Sequence, residues 1–372
     1  MVGTYPPTEC GLATFNANLA RAISGSNDRW STHVVRVVEG ADVDPTFDLV
    51  TEWVMGDAAS LTRARDVANA NDAVILQHEF GLFAGPDGAD VLELVEGLKV
   101  PLIVVLHTVL QAPTAHQRWI IEHLSAAAAS VVVLSQSAYD RLRVIYQTPP
   151  EKLTVIPHGA DANFSGPLLS TPKTPTILTW GLLGPGKGLE HGIRAVARLQ
   201  RRSPRPTYVI AGETHPKVKL HEGEQYRRFL QEQSRALGIA NRVVFADGYR
   251  DAESLRALIR SVDAVLLPYD SVDQVSSGVL VEAIASGKPV VATSFPHAEE
   301  LLASGAGITV AQGDDVAMAN ALEEVLYAPG VAARMRVIAR QEASALLWPA
   351  VGERYRGLLG ELFAERASGI RR

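Results

Sequence analysis

The sequence predicts an α/β protein built from two doubly wound parallel-sheet domains with C-terminal helices, and three observations carry that expectation. Apolar runs rich in β-branched residues alternate with helix-period segments along nearly the whole chain, the pattern of right-handed βαβ units. The alternation breaks once, between Pro157 and Pro175. The length of 372 residues and the 47% hydrophobic content suit two buried cores.

In the first half the expected strands are His33–Val38, Ala73–Gln77, Leu102–His107, Ser130–Leu134 and Leu153–Ile156. The helices between them are Ala13–Ile23, Ala89–Leu98, Ala115–Ala128 and Ala138–Tyr146. Only Met1-Val2-Gly3-Thr4 precedes the Tyr5-Pro6-Pro7 loop, so the opening strand is very short unless the start site is placed too late. The break contains Asp161 to Pro167 and Ser170 to Pro175, both rich in turn residues and without periodicity, and is read as the hinge. Beyond it come strands Thr176–Trp180, Tyr208–Ala211, Arg242–Ala246, Ala264–Leu267 and Val290–Thr293. After Gly313 the pattern is helical: Val316–Tyr327, Val331–Ala345 and Ala350–Ala367. The domain boundaries read this way are 1–160 and 161–345, with 346–372 as a final helical segment.

The net charge of −6 argues against a general nucleic-acid binder. Arg198, Arg201, Arg202 and Arg205 close a helix before Pro206 and read as a solvated helix end. Cys10 is the single cysteine, so no intrachain disulfide or multi-cysteine metal site forms, which fits a reducing, cytoplasmic setting. Cys10 has no histidine nearby in sequence to make it a nucleophile. The ten histidines lack a ligand spacing, so neither a metal nor another cofactor is expected. No apolar run approaches the roughly eighteen residues of a membrane span, leaving at most peripheral membrane contact.

The chemistry concentrates in two stretches. Trp180-Gly181-Leu182-Leu183-Gly184-Pro185-Gly186-Lys187-Gly188 follows a buried strand and precedes the helical segment Glu190 to Gln200. Strand, glycine turn, lysine and helix bind phosphate, because glycines let the backbone approach an anion and the lysine adds a charge. The spacing is not that of a Walker loop. The second stretch, Gln274-Val275-Ser276-Ser277-Gly278, follows the strand closed by Pro268 and opens a helix ending at Gly287. Ser276 and Ser277 are N-cap residues, Gly278 permits close approach, and Glu282 lies about one turn in, where a carboxylate can accept two ribose hydroxyls.

These stretches resemble the retaining glycosyltransferases of family 4, which carry a Gly-Arg-x-x-x-x-Lys-Gly turn and a Glu-x7-Glu pattern before a Gly-(Lys/Arg/Leu)-Pro-Val-Val strand. Lys187 matches the lysine and Glu282 the second glutamate, while Gln274 stands for the first glutamate and Leu182 for the arginine. Tyr5-Pro6-Pro7 with Gly11, His107 and Ile156-Pro157-His158-Gly159 extend the likeness over nearly the whole chain. The resemblance implies the GT-B fold: two Rossmann-like domains facing a central cleft, the last helix crossing back to the N-terminal one. It implies a nucleotide diphosphate sugar donor on the second domain and a carbohydrate, lipid or small-molecule acceptor on the first.

Gly181, Lys187, Gln274, Ser277, Gly278 and Glu282 are then the donor-binding residues, with Gly11 closing over the phosphates. His107, Lys187 and Glu282 form the catalytic set, His107 lying by the sugar's 6-hydroxyl. Arg250 or Lys217 is the candidate replacement for the missing arginine. His78 and Glu79 are the candidate acceptor contacts, and His158 reads as structural. Metal-independent hexosyl transfer, with GDP-mannose as one donor, is the leading function. A sugar-nucleotide epimerase and a non-catalytic sugar-nucleotide or glycan binder are the alternatives, the first weakened by Gln274 and the second suggested by Gln274 and Leu182.

Overall fold

β-Branched side chains pack well on a pleated surface, and runs of them without alternation belong to strands covered on both faces. The computed structural model describes residues 1–25, 29–40, 50–166, 174–248, 250–271 and 273–368, and such runs form the centre of each of its two sheets. Part of the expected hinge, 167–173, lies outside the described residues. The chain divides into two compact units, one made of Met1–Gly159 and the chain from Trp348 onward, the other of Ala160–Leu347.

The first unit contains β1 (Val2–Gly3), α1 (Gly11–Ser24), β2 (Val34–Val38), β3 (Val50–Val54), α2 (Ala58–Asn69), β4 (Val74–His78), α3 (Val91–Glu96), β5 (Leu102–Leu106), α4 (Ala115–Ala127), β6 (Ser130–Val133), α5 (Gln136–Val144) and β7 (Leu153–Val155). Its parallel sheet runs β3-β2-β1-β4-β5-β6-β7. β1 has two residues, enough to pair with β2 on one side and β4 on the other.

The second unit contains β8 (Thr176–Trp180), α6 (Leu189–Arg198), β9 (Thr207–Ala211), α7 (Pro216–Glu222), α8 (Gln225–Ala236), β10 (Val243–Ala246), α9 (Ala252–Ser261), β11 (Ala264–Leu267), α10 (Gly278–Ala285), β12 (Val290–Thr293), α11 (Pro296–Leu302), β13 (Gly307–Val310), α12 (Asp315–Tyr327) and α13 (Val331–Leu346). Its sheet is also parallel, in the order β10-β9-β8-β11-β12-β13. Arg198 at the end of α6 and Arg202 just beyond it pair with Asp315 and Glu323 of α12, the former at 2.8 Å.

The last helix, α14 (Trp348–Ser368), packs on α1 within the first unit. Two glycines make room for it. A Cβ on Gly159 would lie 2.2 Å from Trp348 Cε3, and one on Gly352 would lie 2.5 Å from the Ala22 carbonyl oxygen. Arg356 Nη1 donates to the Ala22 and Ile23 carbonyls at 2.6 and 3.2 Å, satisfying orphan acceptors near the C-terminus of α1.

β3 and β13 were not expected from the sequence, and α2 was not among the helices named from it. β3 and β13 are edge strands, where one side meets solvent and the apolar signal thins. β3 also carries Glu52, whose carboxylate takes a 3.1 Å hydrogen bond from Arg36 Nη1 on β2.

Candidate functional site

In an open parallel sheet ligands bind beyond the carboxyl ends of the strands where the strand order reverses. In the second unit that point lies between β8 and β11, so the loops after these strands meet there. Gly188, at φ +59°, leaves no room for a side chain: a Cβ would sit 1.9 Å from the Pro268 carbonyl oxygen. The Asp270 N–H donates to the Gly186 carbonyl at 3.2 Å. Gly212 is equally tight: a Cβ there would stand 2.0 Å from the Gly181 carbonyl oxygen, whereas one on Gly181 would meet only Val279 Cγ2 at 3.8 Å. Glycine at these positions lets two strand-end loops pack backbone to backbone.

Lys187 rides on this platform. It is half-buried, its Nζ stands 4.3 Å from the centroid of the buried Tyr269 ring, and no carboxylate pairs with it among the described residues. The ring face favours the cation, and the ammonium keeps its donors. The turn is fastened to the loop between β9 and α7 by Leu183 N–H to the Glu213 carbonyl and His215 N–H to the Leu183 carbonyl, both 2.8 Å. Burial lowers the pKa of His215, and the charges of Lys217 and Lys187 push the same way. Leu182 is half-buried and Lys217 exposed. Arg250 Nε is buried with no partner among the described residues.

Ser277 caps α10, its Oγ accepting from the Leu280 N–H at 3.2 Å. Its own N–H already donates to His297 Nδ1 at 2.9 Å, so Ser277 contributes a cap rather than a free backbone donor. The N–H groups of Gly278 and Val279 have no acceptor among the described residues. Gln274 turns its amide inward, donating from Nε2 to the Ser276 carbonyl. Glu282 Oε2 accepts from Trp180 Nε1–H at 3.0 Å. Burial pushes its carboxyl up to about 7; the indole bond opposes this, Asp161 adds to it and Arg256 opposes it.

In the first unit the order reverses between β1 and β4, and the polar residues there close on one another. Gln77 is buried and its Oε1 lies 2.8 Å from His107 Nε2, which places the imidazole proton on Nε2. The Phe15 ring meets His107 edge-on at 4.8 Å. Burial, then the neighbouring His158 and His78, push His107 down to about 3. His78, read as an acceptor contact, is fully buried beneath Phe80 and Phe83, at 5.2 and 6.4 Å between ring centroids. The structure therefore does not present its ring to an acceptor: every residue of β4 is buried, His78 included. Burial holds its pKa down at about 4. Glu79 Oε2 accepts from Thr108 Oγ1 at 2.6 Å and Oε1 from the Phe80 N–H at 3.1 Å. Gly11 is the exposed first residue of α1, with nothing within 4 Å of a Cβ built on it. Beside it, Cys10 serves as the N-cap, Sγ accepting from the Ala13 N–H at 3.3 Å.

Glu190, His191 and Asp270 each bring one ligand atom within 4.8 Å of the others. Arg194 Nη2 donates to His191 Nδ1 at 2.7 Å, using that lone pair and opposing a cation, and Tyr226 donates to Glu190 at 2.7 Å. The trio does not fit a metal in this arrangement.

Trp180, Tyr269 and His297 were given no role from the sequence, and Gln77 was read only as part of the polar strand-end stretch 77–81. The only signal was their position beside motif residues at strand ends.

Residues 11–164 match the family described as Glycosyltransferase Family 4, and residues 162–342 match Glycosyl transferases group 1. The chain is related to these glycosyltransferases and has the GT-B fold. A D-inositol 3-phosphate glycosyltransferase of Stackebrandtia nassauensis is 28% identical over 68% of this chain and 58% of its own length. The matched region thus spans under two thirds of that relative. A GDP-mannose-dependent alpha-(1-6)-phosphatidylinositol monomannoside mannosyltransferase of Mycolicibacterium smegmatis is 34% identical over 45% of this chain and 43% of its own. Among solved structures, Anabaena HepE in complex with UDP and glucose superposes with a TM-score of 0.78 at 18% identity, covering 97% of this chain and 98% of HepE. No helix among the described residues is long and apolar enough to cross a membrane.

Proposed function

We propose that this GT-B chain is a metal-independent, retaining hexosyltransferase that takes its sugar from a nucleoside diphosphate donor. The donor lies on the second unit and a carbohydrate, lipid or small-molecule acceptor on the first. The observation that carries the reading is Lys187, a half-buried ammonium over Tyr269 with no carboxylate partner among the described residues. A lone cation held at a sheet switch point beside free N–H groups is complementary to a diphosphate.

In the reaction the bond from the anomeric carbon to the β-phosphate oxygen breaks and one to an acceptor oxygen forms. The acceptor proton leaves with the departing diphosphate. Charge grows on the phosphate oxygens as the first bond breaks, and Lys187 with the Gly278 and Val279 N–H groups is positioned to stabilise it. Glu282 is placed to hold ribose hydroxyls through the oxygen that Trp180 leaves free. His107, neutral and oriented by Gln77, is assigned to the sugar.

The Mycolicibacterium relative makes GDP-mannose the first donor to test, and the HepE complex makes UDP-glucose the second. Calorimetric binding of UDP, GDP and ADP, then transfer assays with their sugars in EDTA, test the reading. Nucleotide binding and EDTA-resistant transfer with retained anomeric configuration are expected. Absence of binding to every nucleotide overturns it. Binding without transfer or hydrolysis establishes the non-catalytic alternative, to which Leu182 and Gln274 point.

A further inference from the structure

We propose that His297 is a positioning residue for the loop from Gln274 to Gly278, fixing the shape in which the Gly278 and Val279 N–H groups remain free for the donor diphosphate. The inference rests on the donor-site reading above.

Helix α11 starts without a side-chain cap: Phe295 precedes it, and Pro296 at its first position has no N–H. The next N–H, that of His297, is one of the orphan donors of a helix start. It reaches the Gln274 carbonyl at 3.4 Å. The ring of the same residue turns back, and its Nδ1 accepts the Ser277 N–H at 2.9 Å. One residue thus holds both ends of the loop. The amide of Gln274 adds a stitch inside it by donating to the Ser276 carbonyl.

Ser277 and His297 are 4% and 3% exposed, so water does not readily replace the ring as acceptor. A buried N–H left without a partner is costly. Losing the ring nitrogen would drive the Ser277 peptide to turn toward another acceptor. The cap that Ser277 Oγ provides to α10 would turn with it, and so would the two free N–H groups that follow. The bond requires a neutral imidazole with its lone pair on Nδ1. Burial pushes the pKa of His297 down to about 4, which keeps it neutral at physiological pH.

Asparagine and glutamine separate the ring atoms. The Asn Oδ1 falls near the place of Nδ1, whereas Gln Oε1 falls near that of Nε2. The experiment compares His297→Asn, His297→Gln and His297→Leu in the full chain. It measures Kd for UDP and GDP, and kcat/KM with GDP-mannose or UDP-glucose. His297→Gln and His297→Leu are expected to weaken nucleotide binding and kcat/KM about tenfold, the scale of one lost hydrogen bond. His297→Asn is expected to stay within about threefold of wild type. Equal effects of Asn and Gln, or wild-type binding by both Gln and Leu, overturn the proposal. If Leu does not fold, the Asn–Gln pair decides alone. Lys187→Ala is measured alongside. Weakened binding there with neutral His297 variants overturns the positioning role only, whereas unchanged binding by Lys187→Ala overturns the donor-site reading itself.

Discussion

The two units offer the same topological opportunity and use it differently. Each has a parallel sheet whose order reverses beside its first strand, at β1/β4 and at β8/β11. In the second unit, glycines at positive φ let the loops touch through backbone, and Lys187 and one oxygen of Glu282 are left beside them without a polar side-chain partner among the described residues. Lys187 has a ring rather than a carboxylate as neighbour, and Glu282 has one oxygen bonded to Trp180. In the first unit the corresponding residues bond to one another: Gln77 to His107, Glu79 to Thr108, with His78 sealed under two phenylalanines. Placement at a strand end is therefore not enough to make a binding group. The difference lies in whether the local chain leaves its polar atoms a partner.

The largest effect should come from the group with least internal role. Lys187→Ala should lower kcat/KM by about 10²–10³, with turnover and donor affinity both reduced, as expected for loss of a charge-stabilising donor. Steady-state kinetics on the folded variant would read this, and wild-type kinetics would erase the contrast between the units. Gly352→Ala acts on the first unit alone, since its Cβ would press on the Ala22 carbonyl at 2.5 Å. A cost of about 1–3 kcal/mol is expected from such overpacking. Denaturant melting should show it, with nucleotide Kd unchanged.

A subtler test concerns Gln77, which is bonded to His107 rather than exposed to substrate. Gln77→Leu should reduce kcat about tenfold by removing the Oε1 acceptor that orients the imidazole, on the scale of a lost hydrogen bond, while nucleotide Kd holds. A loss of nucleotide affinity equal to the fall in kcat would mean the two units are not functionally distinct.

The smallest effects are pH linkages, and their signs differ between groups. If Glu282 holds ribose hydroxyls as proposed, its carboxyl, raised to about 7 in the folded protein, must ionise to accept them well. Nucleotide affinity should therefore weaken severalfold between pH 7.5 and 6, with proton release on binding detectable in calorimetry across buffers. Glu282→Gln should abolish this dependence. As regards stability alone, a carboxyl raised in the fold favours the native state below about 4.5 and loses that contribution as pH rises through 7. His78 and His297, lowered to about 4, act oppositely. The unfolded chain binds protons that the native state refuses, so their contribution is lost as pH falls from about 6.5 toward 4. Thermal melts of His78→Phe should flatten part of that acid limb.

Much of the glycine-rich turn around Lys187 was legible because its signals are local. Gly181 to Gly188 and Ser276 to Gly278 announce backbone geometry within a few residues, and Lys187 and Glu282 stand at fixed offsets from them. Acceptor contacts were harder to read. His78 and Glu79 look alike as polar residues after a strand, yet His78 is the buried last residue of β4, under Phe80 and Phe83, while Glu79 lies just past it and is only half-buried.

By itself the sequence determined the α/β class, the central strands of both sheets and the glycine turn around Lys187, because β-branched runs and positive-φ positions are properties of adjacent residues. The tertiary structure alone decided which atoms are free. Trp180 meets Glu282 across 102 residues, Gln77 meets His107 across 30, and His297 meets Ser277 across 20. These pairs exist only after parallel strands take their order in the sheet, since that order, not distance along the chain, sets which strand ends become neighbours.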